Sequence, residues 1–132
     1  MNIKQTILTT SVAMLLLFSA TVSFGNGKDK DGTVTLSGAI VDSQCAFNVH
    51  SSGRSHEWMI KKGVPGAGDD KSCTMHCVKD MGGSFVLVVK DDVYRLDNQA
   101  YAEKFAGAKV KVTGLLDAKT HTLQVRTIEE NH

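Results

Sequence analysis

The sequence predicts a mainly β domain with short helices, arranged as a five-stranded OB-like barrel with a long cysteine-rich helical insertion between strands 1 and 2. Five short segments of alternating or continuous apolar residues are separated by turn residues, which is typical of strands. One capped helical segment lies between the third and fourth of them, and this order of elements is that of the OB barrel. An open five-stranded sheet with a packed helix is the alternative.

The first strand is predicted over residues 33–42. Val34, Leu36 and Ile40 fall on alternate positions there, as in a strand with one buried face. Gly38 lies among them and predicts a bulge or a tight bend, because a glycine inside a strand often marks such a place.

Residues 43–83 form a connection far longer than the about 4 to 6 residues that usually join two elements. It is predicted to contain a short helix over 56–62, a glycine-rich break over 63–68 and a second helix over 70–79. All three cysteines and three of the five histidines lie in it. Long loops usually carry function, so we expect the binding site in this insertion.

The second and third strands are predicted as a hairpin. Residues 85–89 are a nearly continuous β-branched and aromatic run, too short for a helix and typical of a strand buried on both faces. A polar turn at 90–92 joins this run to a strand over 93–96.

One helix and two strands complete the domain. Asp97 or Asn98 can cap a helix over 99–106, because a short side-chain oxygen accepts a bond from a free backbone N–H, and Gly107 ends it. Two further segments alternate strictly and predict a closing hairpin, namely 109–113 and 123–126.

The N-terminal region has the layout of a secretory signal peptide. A single charge, Lys4, precedes an apolar run over 12–18, and small residues follow up to Gly25. The run is well short of the about 20 residues that span a bilayer, so we expect cleavage after residue 25 and no stable membrane anchor. Polar residues 26–32 predict a disordered lead-in to a single domain over 33–130. The mature domain is therefore expected in the periplasm or outside the cell.

The charge balance argues against nucleic acid as a partner. The 15 Lys and Arg residues nearly equal the 14 Asp and Glu residues, and they are scattered along the chain. The sequence shows no Ser-His-Asp order, phosphate loop or spaced carboxylate pair. We therefore expect a module without enzymatic activity that binds an unidentified small ligand or an envelope protein.

A disulfide is the preferred interpretation of the cysteines. Export places them in an oxidising compartment, where Cys45 could join Cys73 or Cys77 and hold the insertion against the first strand. Such a bridge would close a loop of about 30 residues and stabilise the domain by about 3 to 4 kcal/mol. One thiol would be left over, and thiol exchange is a third, minor interpretation.

The alternative is a soft metal ion, copper or zinc. Cys73 and Cys77 are four residues apart, so on a helix their Cβ atoms lie about 5 to 6 Å apart on one face. Zinc sites more often have two-residue gaps between cysteines, which favours copper slightly. The candidate ligands are the thiolate, thioether and imidazole side chains that select these ions, namely Cys45, His56, Met59, Cys73 and Cys77, with His76 as a further candidate.

Simple packing is the competing interpretation for two of these ligands. His56 and Met59 are three residues apart and share a helix face. A methionine at that spacing beside Trp58 is more often part of a core than a ligand.

Four motifs follow one another along the chain: Asp-Ser-Gln-Cys-Ala from Asp42, His-x-x-Met from His56, Cys-Thr-x-x-Cys-Val-Lys from Cys73 and Val-x-Val-x-Gly from Val110. Together they resemble a family of small exported bacterial domains of unknown function, over essentially the whole mature chain. The resemblance implies that the candidate ligands act as a set, but it supplies no chemistry. Many members have a plain Lys-x-Gly where this chain has the longer segment 79–83.

Overall fold

The computed structural model describes residues 31–47 and 56–132, and within the latter range the side chains of His56 and Glu57 are outside the description. The predicted signal peptide (1–25) and most of the predicted lead-in (26–32) lie outside the described residues. The elements are, in chain order, β1 (Thr33–Asp42), α1 (Ser43–Ala46), α2 (His56–Lys61), α3 (Asp70–Lys79), β2 (Phe85–Val89), β3 (Asp92–Leu96), α4 (Gln99–Glu103), β4 (Lys109–Asp117) and β5 (Thr122–Glu130).

The five strands form a closed barrel in the order β1-β2-β3-β5-β4, with β4 returning to β1. All neighbouring pairs are antiparallel except β3 and β5, which are parallel. This topology, with α4 between β3 and β4, is that of an OB-like barrel, and the predicted fold class is confirmed.

β1 pairs with two neighbouring strands, and Gly38 lies near the point where the pairing changes from one strand to the other. Residues 33–39 pair with β4, whereas residues 39–42 pair with β2. A Cβ atom on Gly38 would lie 2.2 Å from the carbonyl oxygen of Val88. The bend that closes the barrel therefore needs a residue without a side chain at this position.

The barrel encloses one apolar core, in which Ile40, Leu87, Val110, Val112 and Leu123 are fully buried. These residues come from four of the strands and face inwards because side chains alternate along a strand. Burial of such side chains is the main stabilising contribution to a small domain.

Helices α2 and α3 lie where the sequence predicted them. Helix α3 uses two faces: Met75 and Val78 pack against the barrel core, whereas Cys73 and Cys77 belong to a second buried cluster. The helix thus fixes the insertion to the barrel and presents both thiols away from the core. In the described ranges, no helix is sufficiently long and apolar to cross a bilayer.

Three details differ from the prediction. α1 was missed, because four residues are too few to show a helical period. α4 ends at Glu103 rather than at 106, and the chain continues in tight turns in which Phe105 and Ala106 bond three residues back. β4 and β5 are longer than predicted, because a register shift at Thr113/Gly114 lets their pairing continue past the break in alternation.

We predict that Gly38→Ala lowers the free energy of unfolding by at least about 2 kcal/mol, because the new methyl group would collide with the backbone of β2. Gly68→Ala is the matched control, since a Cβ atom there meets nothing within 4 Å and the change should stay within about 0.5 kcal/mol. Urea denaturation of both variants gives the comparison. Equal stability of the two variants would show that the bend in β1 tolerates a side chain.

Candidate metal centre

Asp42 places the first thiol. It is the last residue of β1, pairs with Phe85 of β2 and is fully buried. Its Oδ1 atom accepts a hydrogen bond from the backbone N–H of Cys45 at 2.8 Å, so the side chain caps α1. The cap turns the chain into a helix immediately after the strand, and Cys45 lies in the first turn of that helix.

Two hydrogen bonds fix α1 to the segment that enters β2. The N–H of Ser43 donates to the carbonyl of Ser84 at 2.8 Å, and the N–H of Ser84 donates to the Ser43 hydroxyl at 3.0 Å. The position of Cys45 is therefore tied to the barrel on both sides.

Helix α3 supplies the other two thiols. Asp69 caps it by accepting the N–H of Ser72 at 2.7 Å. The first turn of the helix lies against Gly107, where a Cβ atom would come within 2.5 Å of the Lys71 nitrogen. Because that close backbone contact fixes the helix, Cys73 and Cys77 are held in the interior, with 1% and 3% of their surface exposed.

Asp42, Cys45 and Cys77 come together, and Cys73 packs beside Cys77; we call these four residues the thiol cluster. The carboxylate of Asp42 and the sulfur atoms of Cys45 and Cys77 lie within 4.8 Å of one another. The thiol of Cys77 also interacts with that of Cys73. The cluster thus joins residues from the end of β1, from α1 and from α3.

The cysteines are free thiols, so the expected disulfide between Cys45 and Cys73 or Cys77 is not formed in this structure. Cys45 packs against the buried cluster that contains Cys73 and Cys77, without a covalent bond to either of them.

Burial and negative neighbours keep the thiols protonated. Burial, followed by the charge of Cys77 and then that of Asp42, raises the pKa of Cys73 to about 12. Burial and the Asp42 carboxylate also raise the pKa values of Cys45 and Cys77. A protonated thiol is a poor nucleophile, so these environments do not suit thiol exchange at neutral pH.

A pocket of about 130 Å³ opens beside the cluster. Its walls are formed by Met59, Val64, Ala67, Cys73, His76, Cys77 and Met81. Met59 packs against the two cysteines of α3, which places this predicted ligand beside the thiols. The side chain of His56, the remaining predicted ligand, lies outside the described residues.

Asp42 was missed as a member of the site. The segment Asp-Ser-Gln-Cys contained the signal, because an aspartate three residues before a cysteine can cap a short helix that carries that cysteine. The full burial of the carboxylate depends on the barrel and on α3, and the local sequence does not encode it.

Comparison of the chain with protein-family models, with curated proteins and with solved structures returned no match. The function proposed below therefore rests on the geometry and the electrostatics of the thiol cluster.

We predict that the thiols of the metal-free folded protein titrate well above the ordinary cysteine pKa of 9.0, and that Asp42→Asn lowers their pKa values. Asparagine still accepts the Cys45 N–H but removes the charge that opposes ionisation. The ultraviolet absorbance of thiolate during a pH titration measures the shift. Asp69→Asn, the same change at the cap of α3, is the control and should leave the titration unchanged.

The same pKa shifts set the direction of the pH dependence of stability. Above pH 9.0 the unfolded cysteines release protons that the folded protein retains, so raising the pH favours the unfolded state. The free energy of unfolding of the metal-free protein should fall above that pH, and less steeply in Asp42→Asn. Thiol titration at the ordinary pKa in the folded protein would contradict this electrostatic description.

Proposed function

We propose that this chain is an exported metal-binding protein that holds one soft metal ion through the thiolates of Cys45, Cys73 and Cys77. The observation that carries the proposal is the thiol cluster, in which residues from three separate elements bring their ligand atoms to one buried point. Thiolates are the ligands that select Cu(I) and Zn(II) among biological metals.

The electrostatics of the cluster support a cation. The charged groups that most strongly shift the pKa values of the thiols are all acidic: Asp42, Asp70 and the other cysteines. Each thiolate formed here would therefore add negative charge to a buried acidic site, which is costly without compensation. A bound metal ion supplies the missing positive charge and lowers the pKa of each coordinating thiol.

Asp42 has two roles in this proposal. Its Oδ1 atom caps α1. The carboxylate also lies within 4.8 Å of the sulfur atoms of Cys45 and Cys77, which is close enough for all three groups to bind one ion. The carboxylate can complete a four-coordinate shell around Zn(II), or it can remain beside a Cu(I) ion held by three sulfur atoms. Both ions fit the donor set of the cluster alone.

The N-terminal pattern supports export, because the apolar run at residues 12–18 with small residues after it is typical of a secretory signal peptide. The first expected function, a disulfide-held module for a small ligand or an envelope protein, is not supported by the free thiols. A partner on the barrel surface stays a prediction.

The metal-free protein, prepared under reducing and anaerobic conditions, is expected to bind one equivalent of Cu(I) or Zn(II). Replacing both Cys73 and Cys77 by Ser should abolish stoichiometric binding, and Cys45→Ser should weaken it at least about tenfold, because each removes thiolate ligands. Native mass spectrometry gives the stoichiometry. Met75→Leu is the control, since Met75 is a sulfur residue of α3 that packs into the barrel core instead. Undiminished binding by the double variant would contradict the proposal.

Metal binding should release thiol protons, because all three pKa values are raised. The apparent affinity is expected to rise about tenfold per pH unit for each thiol proton displaced, up to three protons around neutral pH. Titration in weakly buffered solution measures the protons released per ion. A metal that binds without releasing protons would be held elsewhere on the chain.

A further inference from the structure

The pocket beside the thiol cluster contains soft donor atoms that the cluster does not use. Two thioethers, Met59 and Met81, and the imidazole of His76 line it together with Cys73 and Cys77. The donors become more buried towards the thiols: Met81 is 47% exposed, Met59 is half-buried, and the two cysteines are almost fully buried. A series of soft donors thus runs from solvent to the ion site.

His76 is oriented by a neighbouring carboxylate. Its Nδ1 atom lies 2.7 Å from Oδ2 of Asp80, one helical turn further along. This contact fixes the orientation of the ring and leaves Nε2 as the ring nitrogen that a ligand can use. The ring also lies directly against Gly66, where a Cβ atom would come within 2.7 Å of its Cγ atom.

The backbone at Met81 is bound to α1 by a hydrogen bond. The side-chain amide of Gln44 donates a hydrogen bond to the Met81 carbonyl at 2.6 Å. Gln44 is next to Cys45, so this bond ties the backbone at Met81 to the helix that carries one of the thiols. The Met81 side chain is both exposed and part of the pocket wall.

Thioethers distinguish the two ions that the thiolates alone accept. A thioether is a soft ligand that binds Cu(I), whereas Zn(II) is held in proteins by thiolate, imidazole and carboxylate. On the basis of the function proposed above, we infer that the ion is Cu(I) and that this pocket is the route by which it reaches and leaves the thiols. Met81 and His76 hold it at the mouth, and Met59 passes it to Cys73 and Cys77.

The transfer is a ligand exchange. As a Cu(I)–thiolate bond forms, a bond from Cu(I) to a thioether or imidazole breaks, and the thiol proton leaves to solvent. Copper and sulfur keep their oxidation states, so neither an oxidant nor a reductant is required. Such stepwise exchange avoids a bare ion in a buried acidic site.

The double variant Met59→Leu with Met81→Leu tests the route, because leucine keeps the volume and the apolar character of methionine but lacks its sulfur atom. Cu(I) is presented as its coloured complex with bicinchoninate under anaerobic conditions, and the loss of colour gives the rate of transfer. We expect the double variant to accept Cu(I) at least about tenfold more slowly, with the final stoichiometry unchanged. His76→Gln should slow the transfer in the same direction.

Two controls separate the role of the thioethers from a general disturbance. Met75→Leu, on another face of α3, should leave the rate unchanged. Zn(II), presented as a complex with a coloured chelator, should reach the thiols of the double variant as fast as those of the original protein. A Cu(I) rate equal to that of the original protein, or an equal slowing of Zn(II), would overturn the inference.

The same assay distinguishes this inference from the function on which it depends. If Cu(I) is taken up normally by the methionine variants and is lost only when Cys73 and Cys77 are replaced by Ser, the thiol site stands and the route is wrong. If the original chain takes up neither ion, or if uptake survives the loss of both cysteines, the metal-binding function itself fails.

Discussion

The buried carboxylate of Asp42 is the constraint on which the candidate site depends. It ends β1 inside the barrel, and its hydrogen bond to the Cys45 N–H starts α1. Because the barrel fixes the end of β1, the first thiol is fixed as well. Burial raises the pKa values of Cys45, Cys73 and Cys77, and the negative charge of the same carboxylate raises them further. One side chain therefore fixes part of the geometry of the cluster and adds to the proton affinity of its thiols.

The long insertion between β1 and β2 carries the three cysteines of the candidate site. The barrel core consists of apolar side chains, and the cysteines of α3 lie in a separate cluster outside it. Helix α3 packs one face on that core and turns Cys73 and Cys77 towards a second, smaller cluster with Cys45 and Met59. The strongly paired strands act as the rigid support, and the ligand atoms lie on short helices attached to it. Such support is what a metal site needs to keep its ligands in place.

Periodic patterns in the sequence were sufficient to predict the barrel and much of the insertion. Alternation set the limits of β1 correctly, and the predicted helix over 70–79 coincides with α3. α1 was not predicted because four residues are too few to show a helical period. The helix depends on a hydrogen bond to Asp42, and Asp42 is in position only when the end of β1 has folded. The positions of α1 and α3 relative to each other also depend on tertiary contacts. Spacing alone therefore left open which cysteines meet and whether they form a bond or a ligand set.

Electrostatics bears on the choice between a disulfide and a metal site more than spacing does. A bridge would suit an oxidising compartment, and spacing alone allowed it. The structure instead collects three protonated thiols around a buried carboxylate, an arrangement that a cation stabilises by displacing protons. The neighbouring thioethers and His76 extend this soft surface towards solvent.

X-ray absorption at the metal edge tests directly whether the three cysteines bind the ion. The sample is the protein loaded with one equivalent of Cu(I) or Zn(II). Three sulfur atoms in the first shell are predicted, at about 2.3 Å if the ion is zinc. A first shell made only of nitrogen and oxygen atoms would contradict the claim that the three cysteines are the ligands.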